Sequence, residues 1–249
     1  MKRISIVTML VITLFAMVLT ACKPQPVKVR VATDATFPPF ETVAENKELV
    51  GFDIDLMKAI AVKAGFEIEF VNTPFDSVIA GMVNCDYETA IAAISNTPER
   101  AEKMLFSDAY TTAGQVVVVR TDEKAITGKD TLNGKTVAAQ LSTTGEIEAK
   151  KIEGITYKPY DTYDLAFLDL MNGQVDAVIS DNMTALGFIN KNADKIMTVG
   201  EIFTSESYSI AVCKTNTEIL NKINAALKEL QADGTIRTLE LKWLAATGK

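Results

Sequence analysis

The sequence predicts an α/β protein built from two similar halves, each a mostly parallel sheet flanked by helices. Strand-like and helix-like segments alternate from residue 29 onward, which is typical of parallel sheets covered by helices on both faces. The alternation starts again near residue 132, and no repeat of 20–50 residues is visible. The chain has 249 residues, 48% of them hydrophobic, which is enough for one or two domains with ordinary cores.

Hydrophobic periodicity predicts the elements of the first half. Apolar, β-branched runs predict strands at 29–33, 67–71 and 89–93. Helical spacing predicts helices at 56–64 and 77–83, and Gly65 is a suitable C-cap for the first of them.

The same criteria predict the second half. Strands are expected at 116–119, 136–140, 176–180 and 208–212, and helices at 146–151, 163–171 and 218–233. The runs that begin at Val116 and Tyr208 have room to be the crossings between the halves.

The N-terminus has the pattern of an export signal. Lys2 and Arg3 precede an apolar run at 4–19, which is short for a membrane span and predicts a secretory signal peptide over 1–21. The signal ends in Leu-Thr-Ala-Cys, which resembles a bacterial lipobox, so Cys22 is the expected lipidated residue of a tether over 22–28. The alternative is cleavage at a small-residue site, with Cys22 incidental. No other segment is apolar for long enough to cross a bilayer.

Composition excludes several classes of function. Removal of the signal takes the formal charge from −7 to −9, which argues against nucleic acid or an anionic membrane surface as a partner. The chain contains no histidine and three cysteines, which excludes a Ser-His-Asp centre and a thiolate zinc cluster. Cys85 and Cys213 would lie outside the cytoplasm, where they either form a disulfide or remain two separate buried thiols.

The segment from Ser95 to Arg100 predicts an anion-binding turn. Thr97 is a suitable N-cap and Pro98 suits the first helical position, so Arg100 falls in the first turn of a helix. The helix dipole disfavours a cation there, whereas free N–H groups and a guanidinium together suit a carboxylate. The alternative is a surface ion pair between Arg100 and Glu99.

Other strand ends carry complementary groups. In open parallel sheets ligands bind beyond the carboxyl ends of the strands. Those ends carry Asp34 with Phe37, the run Ser142–Gly145, and Asp181. One cation and two carboxylates suit a zwitterion, with its carboxylate at Arg100 and its ammonium at Asp181.

The run Gly-Phe-Asp-Ile-Asp-Leu at 51–56 resembles the signature of the extracellular solute-binding proteins of family 3, the amino-acid receptors of bacterial ABC importers. A further matching motif precedes this run at 33–40, and others follow it in order at 95–108, 140–146, 173–181 and 232–243. The resemblance implies a two-lobed, periplasmic-binding-protein-like fold with two crossover strands as its hinge. Lobe 1 is then expected over 29–115 and 209–249, and lobe 2 over 116–208.

The resemblance also implies a role for individual residues. Arg100, with Ser95 and the Thr143–Thr144 turn, would bind the ligand α-carboxylate, and Asp181 with the carbonyl of Ala93 would bind the α-ammonium. Phe37 and Phe75 would flank the side chain, although without the resemblance they read as ordinary core aromatics. Asp34 and Gln140 would lie near its tip. No catalytic residue, cofactor or metal is implied.

The implied function is that of a monomeric, exported lipoprotein, anchored by acyl chains such as palmitate to the outer face of the cytoplasmic membrane or in the periplasm. It would capture a free amino acid, with arginine, lysine, histidine or glutamine favoured, and present it to an ABC permease. The alternatives are a ligand-sensing module without transport and a cyclohexadienyl-dehydratase-like enzyme on the same scaffold. The family topology brings Cys85 and Cys213 together at the edge of lobe 1, which leads to the hypothesis of a disulfide.

Overall fold

The computed structural model describes residues 28–245, which form two five-stranded sheets flanked by helices. The predicted signal peptide, the lipidation of Cys22 and all of the tether before Lys28 lie outside the described residues. Within 28–245 no helix is both long enough and apolar enough to cross a membrane.

The first sheet is mixed, with strand order β5-β1-β6-β15-β7. Strand β1 pairs in parallel with β5 and β6, whereas β15 runs antiparallel to both β6 and β7. We call the part of the chain built on this sheet the first lobe. Its strands are β1 (Lys28–Thr33), β5 (Glu67–Asn72), β6 (Thr89–Ala90), β7 (Leu105–Phe106) and β15 (Ala211–Val212). Its helices are α1 (Phe52–Ala64), α2 (Phe75–Asn84), α3 (Pro98–Ala101), α7 (Thr217–Ala232) and α8 (Thr235–Trp243).

The second sheet has the same pairing pattern, with strand order β11-β10-β12-β9-β13. Strand β10 pairs in parallel with β11 and β12, and β9 runs antiparallel to β12 and β13. We call the part built on it the second lobe. Its strands are β9 (Gln115–Arg120), β10 (Thr136–Gln140), β11 (Thr156–Tyr160), β12 (Ala177–Asp181) and β13 (Ile196–Val199). Its helices are α4 (Thr144–Lys150), α5 (Tyr163–Met171) and α6 (Asn182–Lys191), with a 3-10 turn at Lys129–Thr131.

Two smaller sheets complete the fold. A three-stranded sheet on the first lobe contains β2 (Thr36–Phe37), β3 (Glu41–Val43) and β4 (Leu49–Val50). The antiparallel pair β8 (Thr111–Ala113) and β14 (Glu206–Tyr208) carries the chain between the lobes, and we call this pair the hinge ribbon.

The predicted α/β class and the two lobes are confirmed, with differences in detail. In each sheet four strands point the same way, and one, β15 or β9, runs antiparallel to its two neighbours. The run at Val116 belongs to the second sheet, so the first crossing is β8. The run from Tyr208 is divided between the end of β14, which is the second crossing, and β15. The strand predicted at 89–93 ends at Ala90, because Ala93 adopts a left-handed backbone with φ 46°. The lobe boundaries drawn from the sequence stay a prediction.

The two lobes are in contact across the cleft. Phe37 of the first lobe packs on Tyr163 of the second, with 5.6 Å between ring centroids. Gly187 on α6 lies against the backbone of Pro38, where a Cβ atom would be only 2.9 Å from the carbonyl oxygen. The two lobes therefore share one continuous apolar cluster that includes Phe40 and Phe167.

A disulfide joins Cys85 to Cys213, across 128 residues of chain. Because the cross-link closes so long a loop, we expect its removal to lower the free energy of unfolding by about 4–5 kcal/mol. The measurement is urea unfolding of the Cys85→Ser, Cys213→Ser double variant beside the oxidised protein. Cys85 lies at the far end of α2, about 15 Å along the helix from Phe75, so ligand affinity should be unchanged. A double variant as stable as the parent would contradict this expectation.

Candidate functional site

Arg100 lies where the sequence predicts it, in the turn that follows Thr97. The Thr97 hydroxyl accepts the backbone N–H of Arg100 at 3.3 Å, and Pro98 is the first helical residue. Arg100 is 7% exposed and does not form the surface ion pair that was the alternative. Glu99 instead pairs with Lys103 at 2.8 Å.

The Arg100 guanidinium connects the two lobes. It donates to the carbonyl of Ser95 at 2.9 Å and to the carbonyl of Ser142, in the second lobe, at 2.7 Å. Its Cζ atom lies over the Phe75 ring, 5.5 Å from the ring centroid. Burial lowers the pKa of Arg100, and nearby carboxylates act in the opposite direction. Since a guanidinium has five N–H groups, three are left for a ligand carboxylate.

The turn after β10 faces Arg100 from the second lobe. Ser142 has a left-handed backbone with φ 63°. Thr143 caps α4: its hydroxyl accepts the N–H of Glu146 at 3.2 Å and donates to the carbonyl of Gln140 at 2.7 Å. Thr144 then begins the helix. The start of α4 is thereby presented at the cleft, with a dipole that favours an anion.

Asp181 is the last residue of β12 and is 3% exposed. Its Oδ1 accepts the Tyr208 hydroxyl at 2.6 Å. Burial, together with the charge of Glu206, raises the pKa of Asp181 to about 7. A cation beside it would offset the cost of burying its charge.

A small pocket between the lobes brings these groups together. Phe37 and Phe75 belong to apolar clusters, as expected of core aromatics, and they also line the cavity. That they flank a ligand side chain stays a prediction. The lining residues are Phe37, Phe75, Ala92, Ala93, Ser95, Arg100, Thr143, Thr144 and Asp181.

Asp34 and Gln140 do not line this cavity. They join the lobes through a 2.7 Å hydrogen bond from the Gln140 amide to the Asp34 carboxylate, which also accepts the Thr36 hydroxyl. Burial raises the pKa of Asp34, and these hydrogen bonds act in the opposite direction. Among the described residues, the Gln140 Oε1 atom is buried without a hydrogen-bond partner. The expectation that the two residues lie near a ligand tip stays a prediction.

The buried carboxylate of Asp53 holds Ala93 in its left-handed conformation. Its N–H donates to Asp53 at 2.7 Å, and Tyr110 donates to the same carboxylate oxygen at 2.8 Å. Burial raises the pKa of Asp53 to about 6. Glu41 is fully buried beside it, and burial raises the pKa of Glu41 well above its ordinary value. Asp53 is therefore more than a helix-start residue, since it orients a backbone segment of the cavity wall.

Sequence reasoning missed Glu206, Gln115 and Tyr208. The Glu206 carboxylate accepts hydrogen bonds from the hydroxyls of Ser95 and Thr144 and from the Gln115 amide. Each hydroxyl has one hydrogen, so these two side chains cannot also donate to a ligand carboxylate while Glu206 holds them. No local pattern marks Glu206, because the hinge ribbon arises from pairing between distant segments.

A family model covers nearly all of the described fold. The model of the bacterial extracellular solute-binding proteins, family 3, matches residues 29–246. The chain belongs to this family. The putative ABC transporter arginine-binding protein 2 of Escherichia coli strain K12 is 36% identical over 221 residues, covering 86% of this chain and 90% of that protein.

Two solved structures of an ancestral arginine-binding protein are similar to this family 3 chain. The form bound to arginine has a TM-score of 0.84 and 43% identity, covering 87% of this chain and 97% of that one. The form bound to glutamine has the same TM-score and identity, with coverage of 88% and 99%.

The buried acids predict an unusual dependence of stability on pH. The folded pKa values of about 7 for Asp181 and about 6 for Asp53 exceed the ordinary value of 3.8. At these two carboxyl groups the folded protein binds more protons than the unfolded chain between pH 4 and 7, so their contribution makes the free energy of unfolding fall as pH rises through that window. Urea unfolding at pH 5, 6, 7 and 8, without added amino acid, measures this slope.

Asp181→Asn should flatten the slope, and Asp169→Asn is the matched control. Asp169 is partnered by Lys158 and Tyr160, which lower its pKa, so it stays ionised throughout this range. A parent protein whose stability rises from pH 5 to 7, or an Asp181→Asn variant with the parent slope, would contradict the assignment.

Proposed function

We propose that this family 3 protein binds one free amino acid between its lobes and delivers it to an ABC permease. The observation that carries the proposal is the pairing of buried Arg100 and buried Asp181 on one small cavity between two lobes. A guanidinium and a carboxylate that line the same cavity complement the two charges that every free amino acid carries.

In the proposed complex the α-carboxylate binds the free N–H groups of Arg100 and the start of α4. The α-ammonium binds Asp181, with the carbonyl of Ala93 nearby. Because these contacts come from both lobes, the ligand stabilises the closed arrangement. Phe37 and Phe75 supply the apolar walls for its side chain.

Arginine, lysine, histidine or glutamine are the proposed ligands. Arg100 lies in negatively charged surroundings, with Asp181 and Glu206 close to it. A ligand with an additional positive charge, or with side-chain N–H donors, complements this surplus of acceptors. The similar ancestral protein has been solved in complex with arginine and with glutamine, which supports the same class of ligand.

Calorimetric titration tests this proposal. The protein is unfolded and refolded to remove any retained ligand, and then titrated with each of the twenty amino acids. We expect binding by at least one of the four named. Agmatine, which lacks the carboxylate, and the N-acetyl derivative of the bound amino acid should give no heat. Absence of binding by all twenty, or equal binding of agmatine and arginine, would overturn the proposal.

We further propose that the protein binds its ligand without converting it, and that it is a monomer tethered through Cys22. The relatives named above are binding proteins, and a chain without histidine lacks the commonest general base. Turnover of cyclic acids incubated with the protein would support the dehydratase alternative instead. Radiolabelled palmitate incorporated into the parent but not into Cys22→Ser tests the tether.

A further inference from the structure

We propose that Glu206 is a latch that holds the two lobes in the closed arrangement. The inference rests on the proposed function only in so far as closure strengthens ligand binding. The latch itself requires no ligand, because all of its partners belong to the protein.

Glu206 accepts hydrogen bonds from both lobes at once. Its Oε2 atom receives the hydroxyl of Ser95, which follows β6 in the first lobe, and the hydroxyl of Thr144 in the second lobe at 2.7 Å. Its Oε1 atom receives the amide of Gln115 at 3.1 Å and the hydroxyl of Thr204 at 2.7 Å. One carboxylate oxygen is thus shared between a donor of each lobe.

The position of Glu206 in the hinge ribbon explains why it can accept hydrogen bonds from both lobes. It is the first residue of β14 and pairs with Ala113, the last residue of β8. The ribbon lies at the pivot, so its backbone moves less than either cleft wall when the lobes rotate. Because a hydrogen bond is lost beyond about 3.5 Å, opening by a few ångströms separates Glu206 from Ser95 or from Thr144.

Arg100 does not bind the Glu206 carboxylate, since both of its hydrogen bonds go to backbone carbonyls. Glu206 is therefore an acceptor for neutral donors rather than the partner of an ion pair. Hydrogen bonds to a charged group contribute more to stability than hydrogen bonds between neutral groups. Loss of the bond to one lobe on opening is thus large enough to shift the balance between open and closed forms.

A second role for Glu206 would have the opposite consequence. If the ligand carboxylate had to displace Glu206 from Ser95 and Thr144, the side chain would compete with the ligand. Its removal would then tighten binding, whereas removal of a latch weakens it. The sign of the change in affinity separates the two.

The test compares Glu206→Ala and Glu206→Gln with the parent protein. Single-molecule fluorescence, with one dye on each lobe, measures the ratio of closed to open molecules without added amino acid and at subsaturating amino acid. We expect Glu206→Ala to lower this closed-to-open ratio at least about tenfold and to weaken affinity by a similar factor. Glu206→Gln keeps one acceptor oxygen, so its closed-to-open ratio should lie between those of Glu206→Ala and the parent. Glu201 is an exposed residue between β13 and β14, and Glu201→Gln controls for the loss of a negative charge.

A double-mutant cycle supplies the second readout. Thr144→Val removes the hydroxyl with little change of shape, so it should lower the closed-to-open ratio in the parent and have little further effect in Glu206→Ala. An unchanged ratio in Glu206→Ala, additive effects in the cycle, or tighter ligand binding would each overturn the latch. The ratios without amino acid test the latch even if the proposed ligands do not bind.

Discussion

Replacement of Arg100 by alanine is expected to abolish the binding of every amino acid. The guanidinium is buried, lines the cavity and has free N–H groups that would bind the ligand carboxylate. Without them the carboxylate would be buried in the cavity without a partner. Truncating one member of such a pair costs about 2–5 kcal/mol. The variant also loses the hydrogen bond to the Ser142 carbonyl, which connects the lobes. We therefore expect the dissociation constant to rise at least about a hundredfold, as measured by calorimetry.

Two further variants make the Arg100 result specific. Arg100→Lys keeps the charge but not the planar fork, so it should restore only part of the affinity. Lys103→Ala removes an exposed cation from the same turn, paired with Glu99, and should leave the dissociation constant unchanged. Parent-like affinity in a folded Arg100→Ala protein would refute the assignment of the carboxylate site.

Replacement of Gly187 by alanine is expected to weaken ligand binding while it raises the stability of the ligand-free protein. A Cβ atom at this position would lie 2.9 Å from the carbonyl oxygen of Pro38 and 3.3 Å from its carbon, both in the opposite lobe. Backbone atoms cannot move aside as a flexible side chain can, so the closed arrangement is hindered. Gly187 lies inside helix α6, where alanine is the better helix former by about 1 kcal/mol.

Gly187→Ala should therefore raise the melting temperature measured without amino acid while weakening affinity about tenfold, and Gly187→Leu should weaken it further. These magnitudes follow from an overpacking cost of about 1–3 kcal/mol in the closed form. Lys191→Ala, an exposed position near the end of the same helix, is the control and should leave affinity unchanged. Stronger or unchanged binding by Gly187→Leu would contradict the close approach of the lobes.

Local signals in the sequence were sufficient for parts of the fold and the site. Thr97 and Pro98 mark the start of α3 because capping depends on residues within one turn. Gly65 ends α1 with φ 72°, as its position after the apolar pattern indicates. The helix predicted at 163–171 and the strand at 136–140 agree with the structure to the residue.

Features that depend on distant segments could not be predicted in this way. Glu206 becomes part of the site only because β14 pairs with β8, more than ninety residues earlier. Strand β6 ends before Ala93 because Asp53, from another helix, holds the Ala93 N–H. The small sheet at 36–50 was missed because strands of two or three residues carry no periodicity.

The mixed first sheet has a consequence for the order in which the protein assembles. Strand β15 lies between β6 and β7, and within the described sheet β7 pairs with β15 alone. The second sheet, in contrast, is drawn from one continuous stretch of chain, residues 115–199. Since β15 comes from residues 211–212, the second lobe can complete its sheet first, while the first sheet still lacks the strand between β6 and β7. When the chain emerges N-terminus first, the first sheet therefore cannot be completed until residues 211–212 have emerged.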